Sequence, residues 1–479
     1  MPSCAVVGAG AAGVAAAARL SSAGWRVCLY EARDRIGGRC VSSILGGERI
    51  DLGAEFSHGR GRIFVACEAA KMAPPRALAA HEEEAEEELR CRFWDGHAMY
   101  DGNGRRHPAL GAMWELIDQL MCDDRMAEDG DAPDVSFEAL AQARGVDDAT
   151  RRALHAYHSA EYATDLALLG AKEYRRREHL FEEGVHDSST DYSMEGRYIP
   201  LLTNFLERAI SSGAEVRLST PVQRVEHVTD EEPVLVDGAP FDAVVVTVPL
   251  GALKPATRTI ELVGVRPGLL DAISRAGYHA ASKVMVTLSR IPWAGASGGE
   301  VLESGKIARG SCGDGNGHAE VTPRTDGDGC VRWGELVLCG DETSLAKQVW
   351  LRVSGGVCIA TGFCSGPTDA LACERLTDEQ AADALVLQLR KMYGVGEELR
   401  WIECVKIDWG QDVWAGKGAY SSPATDACAV WRELRETGSK RLLLAGEAVH
   451  RRGSTVCSAI ESGEWAADTI IEQFGRGAE

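Results

Sequence analysis

The strongest constraint on this chain is its opening Gly8-Ala9-Gly10-Ala11-Ala12-Gly13. A short apolar run, Ser3–Val7, precedes it, and an alanine-rich helical pattern follows to about Ala23. Residues 25–30 read as a second strand, ending at Glu31. A β-α-β unit of about 30 residues with this loop is the form a dinucleotide-binding fold requires. The first glycine permits the tight turn, the second lets the backbone approach a pyrophosphate, and the third lets helix and strand pack closely. The helix N-terminus, with Ala12 in its first turn, offers free N–H groups and a positive dipole end to phosphate. Glu31 stands where a carboxylate accepts hydrogen bonds from ribose hydroxyls, and its charge disfavours the 2′-phosphate of NADP. The bland alternative, a strand–helix turn without a ligand, leaves the acid at the end of the second strand unexplained.

At 479 residues, 45% hydrophobic and 26% charged, the chain is long enough for two or three domain-sized units around an enclosed cavity. A net charge of -21 argues against a nucleic-acid partner and suits a cationic substrate, although solubility alone accounts for it equally well. The 15 cysteines are scattered without CxxC spacing, so reduced thiols are expected and no metal site is. No basic, apolar leader precedes the first strand, and no apolar run reaches the roughly 20 residues of a membrane span. These features predict a cytoplasmic or other reducing intracellular compartment.

Further strands are expected at 215–218, 225–227, 243–248, 350–361 and 441–445, with helices at 375–393 and 457–474. The acidic run 82–88 reads as a solvated face, and the Gly- and Asp-rich stretch 294–330 as a surface insertion. The expected class is α/β. A Rossmann-like cofactor domain with a parallel sheet (1–75, 201–270 and 425–479) is joined discontinuously by an α+β substrate domain (76–200 and 271–424).

The loop Glu31-Ala32-Arg33-Asp34-Arg35-Ile36-Gly37-Gly38-Arg39 separates FAD from NAD. Its arginines can reach phosphate and its glycines allow close backbone approach, a second loop that NAD-only domains do not need. Here the sequence resembles the flavin-containing amine oxidase family of monoamine oxidases, polyamine oxidases and histone lysine demethylases. Asp51-Leu52-Gly53-Ala54-Glu55-Phe56-Ser57-His58 resembles the segment beneath the flavin ring, with His58 where polyamine oxidases often carry a histidine. Pro221-Val222 resembles the pair whose valine meets the adenine, and Thr247-Val248-Pro249-Leu250-Gly251 is another family block. Leu444-Ala445-Gly446-Glu447 resembles the second strand end on FAD, and Gly453-Ser454-Thr455-Val456 the start of a helix aimed at the flavin pyrimidine.

The resemblance implies that Lys283 holds a water near flavin N5, that Tyr420 forms one wall of an aromatic cage, and that Thr455 replaces the opposing tyrosine of monoamine oxidases. Read from the residues alone, Lys283 also fits an exposed edge strand and Tyr420 a core position. Trp409 and Trp414 are candidates to line the channel, with core packing equally open, and Phe56 adjoins it. Glu161 resembles the acid that polyamine oxidases set against a distal ammonium, or is simply a solvated helical glutamate. The implied reaction is hydride transfer from an amine to flavin N5, imine hydrolysis, and reoxidation by O2 to H2O2. An L-amino-acid oxidase, kept open by Arg60 and Arg62, and a desaturase or cyclase are the alternatives. Ala419 stands where monoamine oxidases carry the flavin-linking cysteine. FAD is therefore expected to be non-covalent: acid precipitation should release the flavin into the supernatant, and yellow flavin retained on the pellet contradicts this.

Overall fold

The computed structural model describes residues 1–78, 90–101, 107–127, 132–184, 186–294 and 332–475. The acidic run 82–88 and residues 295–330 of the expected insertion lie outside the described residues.

The N-terminal unit forms as expected. Strand β1 (Ser3–Val7) is fully buried, helix α1 spans Ala11–Ser22, and β2 spans Arg26–Tyr30. They join a five-stranded, all-parallel sheet in the order Glu215–Arg217, β2, β1, Ala243–Val246, Leu442–Leu444. Such sheets need cover on both faces. On one face, α1 packs with helix Tyr198–Ser211 and the closing helix Val456–Gly475. Every residue of α1 from Ala11 to Ala18 is buried, because small alanines let three helices converge. Gly13 sits at the tightest point: a Cβ there would lie 1.8 Å from Gly8 O.

A second, seven-stranded sheet runs in the order Trp401–Asp408, Ala281–Leu288, Val357–Ser365, Gln348–Ser354, Arg332–Cys339, Arg90–Trp94, Met99–Asp101. Its pairs are antiparallel except that between Arg332–Cys339 and Arg90–Trp94. The single strand expected at 350–361 is two strands of a hairpin. Gly355 and Gly356, with φ of 54° and 82°, form the two-residue turn, for which positive φ at both positions is required. The helix expected at 375–393 begins at Asp378 instead, where Thr377 and Gln380 close a capping box, and a separate helix spans Gly366–Glu374.

The period-2 alternation of strand Ala281–Leu288 positions the site. Val284, Val286 and Leu288 pack under helix Asp378–Tyr393, with Leu385 and Leu389. Met285 packs on Leu45 and Ile50 of the Ser42–Asp51 hairpin, which follows the loop 31–39 in sequence. Lys283 shares the Met285 face, so the strand carries its lysine towards that hairpin and away from the covering helix.

Gly13→Ala is expected to destabilise the protein by at least about 2 kcal/mol in urea melts, since the added methyl meets backbone that cannot move aside. Gly10→Ala, where nothing lies within 4 Å of an added Cβ, is expected to melt like the parent in the absence of cofactor. Equal losses from the two would contradict the close contact.

Candidate active site

One cavity of about 530 Å³ runs from the first turn of α1 to the second sheet, within the range of small-molecule sites. At one part of it Gly8, Gly10 and Ala12 line the wall with Gly37, Gly38 and Val222. Gly10 caps α1 without a side chain, leaving the helix amides open to the cavity. Glu31 lines the cavity and fastens its loop, accepting from Ala9 N at 2.8 Å and Arg33 N at 2.9 Å. Two such bonds leave a carboxylate capacity for ribose hydroxyls. Ala32 and Ala54 are further lining residues. Gly13 does not line the cavity, and its role is the packing contact above. Arg33 lines it as well, with Nη2 donating to both carboxylate oxygens of Asp412, at 2.6 and 2.7 Å. Arg35 turns back onto Ile36 O and Gly38 O. Of the loop's arginines, Arg39 is the one anchored under the cavity floor, donating to Ala419 O at 2.7 Å and Glu447 Oε1 at 2.9 Å.

Glu447 is buried at a junction of backbone and side chains. Besides Arg39 it accepts from Ser421 Oγ at 2.6 Å and Ser454 N at 3.0 Å, so the Gly446-Glu447 turn, strand Tyr420–Ser422 and the lead into the closing helix are locked together. Thr455 caps that helix, its Oγ1 accepting from Ser458 N at 3.1 Å, and both Thr455 and Val456 line the cavity.

Lys283 lies on the cavity wall, 6% exposed. Its Nζ donates to Gly53 O at 2.8 Å, Asp51 O at 3.2 Å and Glu55 Oε2 at 2.8 Å, and sits 5.3 Å from the centre of the Trp350 ring. The exposed edge-strand alternative is therefore wrong. Gly53 can be nothing larger, because a Cβ would lie 1.8 Å from Arg39 O and 3.2 Å from the Trp409 ring. Trp409 itself is 4% exposed and serves both as packing and as wall, whereas Trp414 is 39% exposed at the cavity edge. Asp51 is pushed up to about 6, first by burial and then by the charge of Glu55.

Tyr420 donates from its hydroxyl to Glu161 O at 2.7 Å, and burial raises its pKa above the usual phenol value. Glu161 lies between a π-helical turn, His155–Ser159, and a left-handed Ala163 (φ 48°), and it lines the cavity. Glu178 and Asp191 line the same space, Glu178 accepting from Tyr162 Oη at 2.7 Å. His58 Nδ1 lies 2.7 Å from Asp191 Oδ1. Burial works against charge on His58, but Asp191, Glu161 and Glu178 outweigh it and push the imidazole up to about 9. Enclosure raises Glu161 to about 8, with repulsion from Glu178 and Asp191 that His58 only partly offsets.

Among the lining residues that were not foreseen are Tyr162, Glu178, Asp191, Gln348, Trp350 and Phe363. Phe363 pairs with both Lys283 and Gln348 across the sheet, and Phe56 packs 5.5 Å from Trp350. The Gly355-Gly356 turn was the available signal, because it folds Gln348 and Trp350 onto the face that carries Lys283. Neither Arg60 nor Arg62 lines the cavity. Arg60 stacks on Phe64 and Tyr192, and Arg62 grips Glu464. Among the described residues, no group of His, Cys, Asp and Glu is arranged to hold a metal ion, and no helix is long and apolar enough to cross a membrane.

The family model of flavin-containing amine oxidoreductases matches residues 11–471, and the chain belongs to that family. Among its relatives, polyamine oxidase 5 of Oryza sativa subsp. japonica is 26% identical over 98% of this chain and 87% of its own length. A lysine-specific histone demethylase 1 homolog from the same plant is 27% identical over the whole of this chain but only 53% of its own. The fold matches that of putrescine oxidase bound to putrescine, with a TM-score of 0.71 at 18% identity over 98% of this chain and 99% of that one. The family implies a flavin cofactor, FAD, and an amine substrate.

The raised Glu161 carries a stability consequence. Between its unfolded value of 4.5 and about 8 the folded state holds the extra proton, so stability falls as pH rises through that window. Glu161→Gln removes the penalty. Its melting temperature should match the parent below about pH 4, exceed it increasingly between about pH 4.5 and 8 and by a constant margin above that, and a difference independent of pH contradicts the assignment.

Proposed function

We propose that this protein oxidises a polyamine-like primary or secondary amine, using non-covalently held FAD. The observation that carries the reading is one cavity shared by a glycine-lined dinucleotide cleft, the Lys283 wall, and the carboxylates Glu161, Glu178 and Asp191. The cleft residues fit FAD: open α1 amides for a diphosphate, Glu31 for ribose, and a Thr455-capped helix for the pyrimidine edge.

Bound FAD would supply the two-electron acceptor for oxidation of the carbon–nitrogen bond, with O2 as the final oxidant and H2O2 as its product. The chain's residues do the rest by position and charge. Asp191 carries negative charge at this end of the cavity, and Glu161, which holds its proton up to about 8, releases it to solvent when a second substrate cation binds beside it, so the reacting carbon is held in place. Tyr420 contributes its ring and no proton, since its hydroxyl is committed to Glu161 O and stays protonated. Lys283 supports the O2 half of the cycle from beside Gly53. With Thr455 in place of an aromatic ring, the channel admits a long chain. Water then cleaves the imine to an aldehyde and either ammonia, from a primary amine, or a shorter amine, from a secondary one. The inward-facing carboxylates, and the absence of Arg60 and Arg62 from the lining, support an amine over an amino acid.

Mixing the holoprotein anaerobically with spermine, spermidine, their acetylated forms and aromatic amines should bleach the flavin with at least one polyamine, and air should then give peroxide. Glu161→Gln should raise KM for multiply charged amines roughly tenfold, as loss of a charge-assisted hydrogen bond would, and change KM for monoamines far less. Silence across all amines contradicts the reading.

A further inference from the structure

Lys283 is bonded more completely than a lysine that only carries a water. An ammonium has three N–H donors. All three have protein acceptors here, the carbonyls of Asp51 and Gly53 and the carboxylate of Glu55. Both partners of the ion pair are nearly sealed, Lys283 at 6% and Glu55 at 4% exposed. The nearby Asp51 carboxylate is turned elsewhere, accepting from Ser42 Oγ at 2.8 Å and Gly196 N at 2.7 Å. The flanking strands set Phe363 and Ile407 opposite Lys283, neither of which can carry charge. Glu55 is thus the counter-ion of Lys283, and it stands in the Gly53-Ala54-Glu55 segment at the cofactor's floor.

We infer that Glu55 is a positioning residue that keeps Lys283 a charged, fixed ammonium, so that the O2 half of the reaction depends on Glu55 through Lys283. This rests on the flavin-oxidase reading above. An ammonium buried without its carboxylate is strongly unfavourable, so loss of Glu55 strands Lys283 without its counter-ion and frees it to swing into the cavity. The positive charge beside the flavin position is then no longer fixed. To donate to a water, Lys283 releases its longest bond, that to Asp51 O, while Glu55 and Gly53 O keep it in register.

The test needs no amine. Holoprotein reduced anaerobically with dithionite is mixed with aerated buffer and flavin reoxidation followed; in that step two electrons and two protons pass from reduced flavin to O2, giving H2O2. Glu55→Gln should slow reoxidation at least tenfold, and Glu55→Asp, which keeps the charge, should recover most of the rate. In a Lys283→Met background, Glu55→Gln should have no further effect. Thermal melts give a readout independent of turnover: the Glu55→Gln/Lys283→Met double variant should melt above Glu55→Gln alone, because removing both charges leaves neither stranded. Reoxidation in Glu55→Gln equal to the parent's, or a double variant no more stable than the single one, overturns the inference. A holoprotein that no amine bleaches, yet passes these tests, separates failure of the substrate reading from failure of this one.

Discussion

The site exists because the first turn of α1 lies against β1 with no side chain between them. At Gly13 there is room for a hydrogen and nothing else, and at Gly463 on the closing helix the same holds, since a Cβ would lie 2.1 Å from Ala12 O. These two approaches draw α1, β1 and the closing helix into one knot of backbone. The N-terminus of α1 then opens on the cavity with its amides unshielded, and the capped start of the closing helix faces the same space. Two helix N-termini around one cleft create a positive region from peptide dipoles, without spending side-chain charge in a protein that is acidic overall.

The second sheet completes the cavity through Lys283. The lysine comes from one sheet, and its acceptors come from the hairpin and loop that follow the cofactor loop. A buried ion pair of this kind adds little net stability but is costly to break on one side. It therefore fixes the relation of the two walls more than it strengthens the fold. Arg33 and Asp412 make a second bridge, from the cofactor loop to the segment bearing Trp409 and Trp414.

How much of this was legible in the sequence follows from how local each feature is. The strand–glycine–helix–strand–acid unit is contiguous, so its physics can be read directly and the structure reproduces it. Lys283 was legible as an anomaly, a cation in an apolar strand whose eight residues are all buried. Tyr420, Trp409, Trp414, Phe56 and Glu161 were legible as candidates, but part of the cavity's aromatic and acidic lining was not. Trp350 and Phe363 reach it only through cross-strand register, and Asp191 pairs with His58 across 133 positions. Nor was the pairing of Arg33 with Asp412, 379 residues away, legible. Glu161 read both as a substrate acid and as a solvated helical glutamate, and the π-helical turn just before it leaves no clear periodic mark to decide between them.

The central claim is that the backbone-lined cleft between these walls is filled by a flavin dinucleotide. Titrating cofactor-stripped protein with FAD, followed by visible absorbance and filtration, tests it most directly. The account predicts saturable uptake of one FAD per chain with a perturbed flavin spectrum, abolished when Gly10 is made Val in a protein that still folds. Colourless protein that leaves all added FAD free in the filtrate would contradict it.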